Sequence, residues 1–153
     1  MSSLTLRIPP VLVVLITMLL MWSVSQLWPL LTFEVSYQFW ASLFFIAVGV
    51  VVILAGVVSF KIADTTVNPL SPDDASTLVI AGIYRFTRNP MYLGMLMILC
   101  GVAVYLGTLS SALLLPVFVL YMNALQIKPE EIALENLFGE NYREYKYAVG
   151  RWL

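Results

Sequence analysis

Histidine is absent from the 153 residues, and the chain carries a single cysteine, Cys100. Without histidine there is no His-ligated zinc or haem, no HExxH motif and no histidine general base, so any chemistry runs on other groups. One cysteine excludes an intrachain disulfide and leaves the redox compartment open. Lying within an apolar run, Cys100 reads as a packing residue. Charge is scarce too. Asp, Glu, Lys and Arg make up 11% of the chain, with a formal net charge of -1 and a sequence pI near 5.3. No broad basic field is available to hold nucleic-acid phosphates, so DNA and RNA binding drop out. Neither a repeat nor a low-complexity tract is visible, and residues 1–153 read as one domain.

What the chain has instead is apolar surface. It is 61% hydrophobic, against roughly 45–50% in an ordinary soluble domain, and its mean hydropathy is +0.91. A soluble fold this small would expose more apolar surface than monomers tolerate, which makes lipid the solvent. Uncharged stretches run over residues 8–33, 35–60 and 89–127, with lengths of 26, 26 and 39. A bilayer core takes about 20 helical residues, so the first two stretches fit one span each and the third fits two short ones. Gly107, Thr108, Ser110 and Ser111 suit the turn between those two. The expectation is an all-α integral membrane bundle of four transmembrane helices, over about 9–31, 38–60, 90–106 and 109–127. A loop over 61–89 and a tail over 128–153 with an amphipathic C-terminal helix complete it.

The first stretch exceeds a signal-peptide core and no small-residue cleavage pattern follows, so it reads as retained. Trp22, Trp28 and Pro29 mark its far end, where indoles favour the interface. All eight basic residues fall on one side of this topology: Arg7 before span one; Lys61, Arg85 and Arg88 in the middle loop; Lys128, Arg143, Lys146 and Arg151 after span four. The positive-inside rule then makes both termini and the middle loop cytoplasmic. Gly49 and Gly56, and Gly94 and Gly101, each recur at seven-residue spacing and favour close helix packing. No span carries a charge, which argues against a channel or pump.

Two constellations could carry chemistry. Arg88-Asn89-Pro90-Met91-Tyr92-Leu93-Gly94 opens span three, with Asn89 placed as N-cap and Pro90 at the first helical position. A helix start with Arg88 beside it attracts a carboxylate or phosphate, although Arg88 can equally be a headgroup anchor. Lys128-Pro129-Glu130-Glu131 reads as a second helix start. Its acids complement the helix dipole, and one of Glu130, Glu131 or Glu135 turned inward would receive a cationic group. Beyond them, Leu134, Leu137 and Phe138, a break at Gly139, and Tyr142, Tyr145 and Tyr147 with Arg143 and Lys146 form an amphipathic segment that would seat the tail at the headgroups.

The stretch Gly82-Ile83-Tyr84, the Arg88 to Gly94 motif, and Glu130-Glu131-Ile132-Ala133-Leu134-Glu135-Asn136-Leu137-Phe138-Gly139 with Tyr142 and Tyr145 resemble the isoprenylcysteine carboxyl methyltransferase family and related membrane phospholipid methyltransferases. The match runs from Thr65-Thr66-Val67-Asn68-Pro69 to Arg151-Trp152. The resemblance implies an integral membrane enzyme that uses S-adenosylmethionine, releases S-adenosylhomocysteine, needs no metal and methylates a lipophilic, membrane-resident substrate. Combined with the charge reading, it places cofactor binding at Arg88, Asn89, Pro90, Tyr92, Leu93, Gly94, Glu130, Glu131 and Glu135 and makes Glu131 and Arg151 the catalytic candidates, Arg151 as the remaining cytoplasmic cation that would orient an anionic substrate group. Many family members have histidine where this chain has Asn89. Asparagine cannot shuttle protons near neutral pH, which slightly favours a carboxylate nucleophile over an amine, while a prenylcysteine-like carboxylate and a lipid headgroup both stay open as acceptors. The competing expectations are a non-catalytic membrane scaffold and, last, a transporter, for which neither repeat symmetry nor broken helices are evident.

Overall fold

The computed structural model describes residues 8–63 and 77–153. Arg7 and the Thr65-Thr66-Val67-Asn68-Pro69 stretch lie outside the described residues. The chain forms helices α1 (Pro10–Leu27), α2 (Gln38–Ile62), α3 (Pro90–Leu106), α4 (Leu109–Ala112), α5 (Leu114–Met122), α6 (Lys128–Phe138) and α7 (Glu140–Ala148). A 3-10 turn, Gly82–Arg85, precedes α3. No strand forms among the described residues, where a single isolated bridge joins Thr32 to Thr108. Among the described residues, three helices are long and apolar enough to cross a membrane: Pro10–Leu27, Gln38–Ile62 and the continuous run Leu109–Phe138. Pro90–Leu106 is apolar and shorter, at 17 residues, or about 25 Å.

Helix α2 has only 11% of its most apolar window buried inside the protein. Phe39, Trp40, Phe44, Val51, Leu54 and Val58 face outward, as a helix solvated by lipid does. Its inner face is small. A Cβ added at Gly94 would lie 2.5 Å from the Gly49 carbonyl, and one at Gly49 would lie 2.6 Å from the Gly94 carbonyl. Gly101 meets Ser42 and Ile46 in the same way, and Gly56 meets Met91. The glycine face read from the sequence is therefore the antiparallel α2–α3 crossing, where close backbone approach replaces the hydrophobic driving force that lipid does not supply. Met21, Leu99, Phe118, Met122 and Ile127 fill the core between α1, α3 and α5.

The turn placed at Gly107 is present, with that residue left-handed at φ 60. The Thr108 side chain caps α4 by accepting from the Ser111 N–H at 3.3 Å. The Phe33 N–H donates to the Gly107 carbonyl and the Leu109 N–H to the Leu30 carbonyl, while Gln38 Nε2 donates to the carbonyl of Val104 at 2.8 Å. These bonds tie both hairpin connections together at one end of the bundle. The basic residues of 85–88 and 143–151 gather at the other.

Three sequence expectations are corrected. Span one ends at Leu27 rather than 31, because the chain turns out of the helix before Pro29. Asn89 sits at the N-cap of α3, but its side chain makes no cap bond. The third concerns Lys128-Pro129, which is not a helix start. The helix runs on from α5 through a π turn, Asn123–Ile127, into α6. A proline inside a helix removes one N–H and crowds the preceding carbonyl; the widened turn absorbs both without breaking the rod. The break at Gly139 is as expected, and its φ of +55 with ψ -125 belongs to glycine. Nothing lies within 4 Å of a Cβ built there, so the requirement is purely one of backbone conformation. Gly139→Ala is expected to destabilise the α6–α7 corner by about 1–3 kcal/mol, read as faster hydrogen exchange in α7 with α2 and α3 unchanged.

Candidate functional site

At the charged end, Glu131 stands one turn beyond the π turn, and its side chain is 10% exposed. Arg88 Nη2 lies 3.2 Å from its Oε1. Arg151 closes on the other edge as a fork, with Nε donating to Oε1 at 2.9 Å and Nη2 to Oε2 at 2.6 Å. One carboxylate thus holds two guanidinium groups, a triad with a formal charge of +1. Planar forks suit this, since each presents parallel donors to a carboxylate. The bidentate bond to Glu131 raises the pKa of Arg151 further.

Arg88 is only partly satisfied. Its Nε and Nη1 are buried and have no partner among the described residues. Buried charged donors without acceptors are costly, and with the surplus positive charge they fit an incoming carboxylate. Glu130, the neighbour of Glu131, accepts a hydrogen bond from the Tyr92 hydroxyl and has no ion-pair partner among the described residues. The site therefore offers anion-binding donors on one side and an acidic, tyrosine-held acceptor on the other. A ligand carrying both a carboxylate and an ammonium fits these donors and acceptors.

The segment 150–152 is strapped over this cluster. The Arg88 N–H donates to the Gly150 carbonyl at 3.0 Å. Asn89 Nδ2 and Thr87 Oγ1 both donate to the Arg151 carbonyl, at 2.9 and 3.4 Å, and Trp152 Nε1 donates to Asn123 Oδ1 at 3.1 Å. This strap is where the Asn89 side chain is used in place of a cap. Tyr145 donates to the Tyr84 carbonyl at 2.7 Å. Tyr142 and Tyr145 are therefore buried against protein, and of the three tyrosines only Tyr147 lies free at the surface. Burial and the Glu131 charge push the Tyr142 phenol above its ordinary pKa, so it stays protonated.

The structure thus brings together Arg88, Asn89, Tyr92, Glu130, Glu131 and Arg151. Pro90 is buried at the first turn of α3, and Leu93 is half-buried one turn on. Gly94 lies in the α2–α3 crossing against Gly49. Glu135 belongs to a separate surface group, paired with Arg143 at 2.8 Å and Lys146 at 3.0 Å. Thr87, Asn123 and Gln126 were not singled out from the sequence. Gln126 could have been, since a polar side chain closing an apolar span is itself a signal.

Residues 37–141 match the family described as phospholipid methyltransferase. A Haemophilus influenzae protein described as "Uncharacterized protein" is 44% identical over 63 residues, 41% of this chain and 100% of its own length. Protein-S-isoprenylcysteine O-methyltransferase A of Arabidopsis thaliana is 31% identical over 115 residues, covering 73% of this chain and 58% of its own. Protein-S-isoprenylcysteine O-methyltransferase of Schizosaccharomyces pombe is 33% identical over 72 residues, 47% of this chain and 30% of its own. The match therefore covers 58% and 30% of the lengths of the two named methyltransferases, less than two thirds of either. No solved structure matches it. With the family match covering most of the chain, including the whole α2–α3 crossing and both halves of the Arg88–Glu131 pair, this integral membrane protein belongs to the phospholipid methyltransferase family.

Proposed function

We propose that the protein is an S-adenosylmethionine-dependent methyltransferase with a lipophilic acceptor, its four helical spans placing both termini and the charged end at the cytoplasmic face. The observation that carries the reading is the pair of buried, unpartnered Arg88 nitrogens beside Glu131. In this reading Arg88 Nε and Nη1 receive the cofactor carboxylate, and Glu130, held by Tyr92, receives the ammonium. Glu131 fixes both arginines, and Asn89, Pro90 and Leu93 line the adenosyl side. Arg151, 32% exposed at its side chain, keeps one guanidinium nitrogen for an anionic group on the acceptor. Gly94 acts through the helix crossing and Glu135 through the α6–α7 corner, so neither touches the ligand.

The sulfonium supplies a methyl group already activated for in-line displacement. The protein's task is then to align the acceptor with it and exclude water. The strap over 150–152 serves the second purpose. A carboxylate acceptor needs no deprotonation, in keeping with asparagine at position 89.

Calorimetry with S-adenosylhomocysteine on the purified chain tests this. Wild type should bind saturably, and Arg88→Gln should weaken binding about 10- to 150-fold, the worth of charge-assisted hydrogen bonds. Methyl-labelled cofactor added to membranes should label a lipid or lipidated fraction. A non-catalytic scaffold instead predicts that Arg88→Gln lowers stability while neither wild type nor variant binds the ligand, and that result would end the enzymatic reading.

A further inference from the structure

Arg88 is gripped by the 150–152 strap at its main chain and at its side chain. Its N–H donates to the Gly150 carbonyl at 3.0 Å, and its neighbours on either side, Thr87 and Asn89, both donate to the Arg151 carbonyl. Its guanidinium shares Glu131 with the guanidinium of Arg151. Where the strap lies therefore decides where Arg88 Nε and Nη1 are aimed, the two donors without a partner among the described residues. A free arginine side chain samples many rotamers, so a head held in advance loses less freedom on receiving a carboxylate.

The strap is itself held through Trp152. The Trp152 ring packs on the apolar core between α1, α3 and α5, and its Nε1 donates to Asn123 Oδ1 at 3.1 Å. An indole N–H only donates, so the amide oxygen rather than the amide nitrogen must face it. Asn123 opens the π turn on the same continuous helical run that carries Glu131. A polar side chain closing an apolar span needs a partner to be stable there, and here the oxygen is committed to the strap. Two anchors on one helix result: Glu131 takes the Arg151 side chain and Asn123 takes the Trp152 side chain. One anchor alone would let the strap pivot, whereas two fix its tilt as well as its place.

We propose that Asn123 is a positioning residue for cofactor recognition: by holding the Trp152 indole it sets the strap, and through the strap it keeps Arg88 Nε and Nη1 aimed at the cofactor carboxylate. The proposal rests on the methyltransferase reading and extends it to a residue that touches no ligand. What the tie protects distinguishes it from a merely structural one. A structural tie supports every adenosyl ligand alike, whereas a tie acting through Arg88 supports only a ligand that carries the carboxylate.

Calorimetry on the full chain in detergent would compare S-adenosylhomocysteine with its decarboxylated analogue, which keeps the adenosyl group and the ammonium. Wild type should prefer the carboxylate-bearing ligand, and Arg88→Gln should abolish that preference. Asn123→Leu, which keeps a branched shape but accepts no hydrogen bond, should cut the preference about tenfold by weakening S-adenosylhomocysteine alone. Trp152→Phe keeps an aromatic ring and removes the donor. It should reproduce the same loss, and the double variant should lose no more than either single one, as expected for two ends of one bond. The Trp152 variant keeps the test standing even if Asn123→Leu does not fold. An equal loss of affinity for both ligands, or an unchanged preference in the folded variants, would overturn the proposal and leave the cofactor reading intact. Wild type binding both ligands alike would remove the Arg88 assignment and the proposal with it. Wild type binding neither would end the methyltransferase reading itself, and the proposal would fall for that separate reason.

Discussion

Glu131→Ala is expected to lose about 3–5 kcal/mol of stability and to abolish S-adenosylhomocysteine binding. Its carboxylate is the sole shared partner of Arg88 and Arg151 among the described residues. Without it two guanidinium groups face each other across a cavity, and Arg88, whose side chain is 10% exposed, cannot recover water. The loss is larger than an ordinary ion pair would give, since exposed pairs contribute about 0–1 kcal/mol. Arg151→Ala should be milder, because that side chain is 32% exposed and its removal leaves Glu131 still paired with Arg88. Thermal denaturation in detergent, with calorimetry on the folded fraction, measures both effects. A Glu131→Ala protein as stable as wild type would contradict the buried triad.

Gly94→Ala is the second large effect, expected to exceed the roughly 1–3 kcal/mol typical of overpacking. The new Cβ would stand 2.5 Å from the Gly49 carbonyl oxygen and 2.6 Å from Ile53 Cγ1. A side chain can rotate away, but a helix carbonyl cannot, so α2 and α3 must separate along the crossing. That movement would also displace Asn89 and Tyr92 at the start of α3, and ligand binding should fall with stability. Cys100→Ala on the same helix is the control: Cys100 is half-buried and its thiol makes no hydrogen bond among the described residues, so its loss should be small. Melting temperature and the monodisperse fraction on gel filtration report the difference, and a Gly94→Ala protein that melts like wild type would rule out so close a crossing.

Much of this molecule was legible before folding was considered. The 17-residue helix Pro90–Leu106 has the limits expected of the third apolar segment, because proline at a first turn and glycine after a last turn are local signals. The glycine face of α2 and α3 was legible as well, since small residues seven apart mark one helix surface whatever lies opposite. Lys128-Pro129 misled because a proline next to acids looks like a helix start. Whether the helix begins there or carries on through a π turn depends on what the preceding turn can pack against. Asn89 misled likewise: its amide could cap its own helix or reach Arg151, 62 residues on, and only the return of the chain offers that second partner.

By itself, then, the sequence determined that the chain is helical, solvated by lipid, and equipped with two arginines and a glutamate pair outside its apolar runs. Those properties depend on composition and on spacing within one segment. That Glu131 rather than Glu130 or Glu135 binds both Arg88 and Arg151, that Arg88 keeps two donors unspent among the described residues, and that Gln126 reaches the Ile8 carbonyl were decided by the tertiary structure. Each depends on distances between segments far apart in the chain, set by the glycine crossing, the widened turn and the strap.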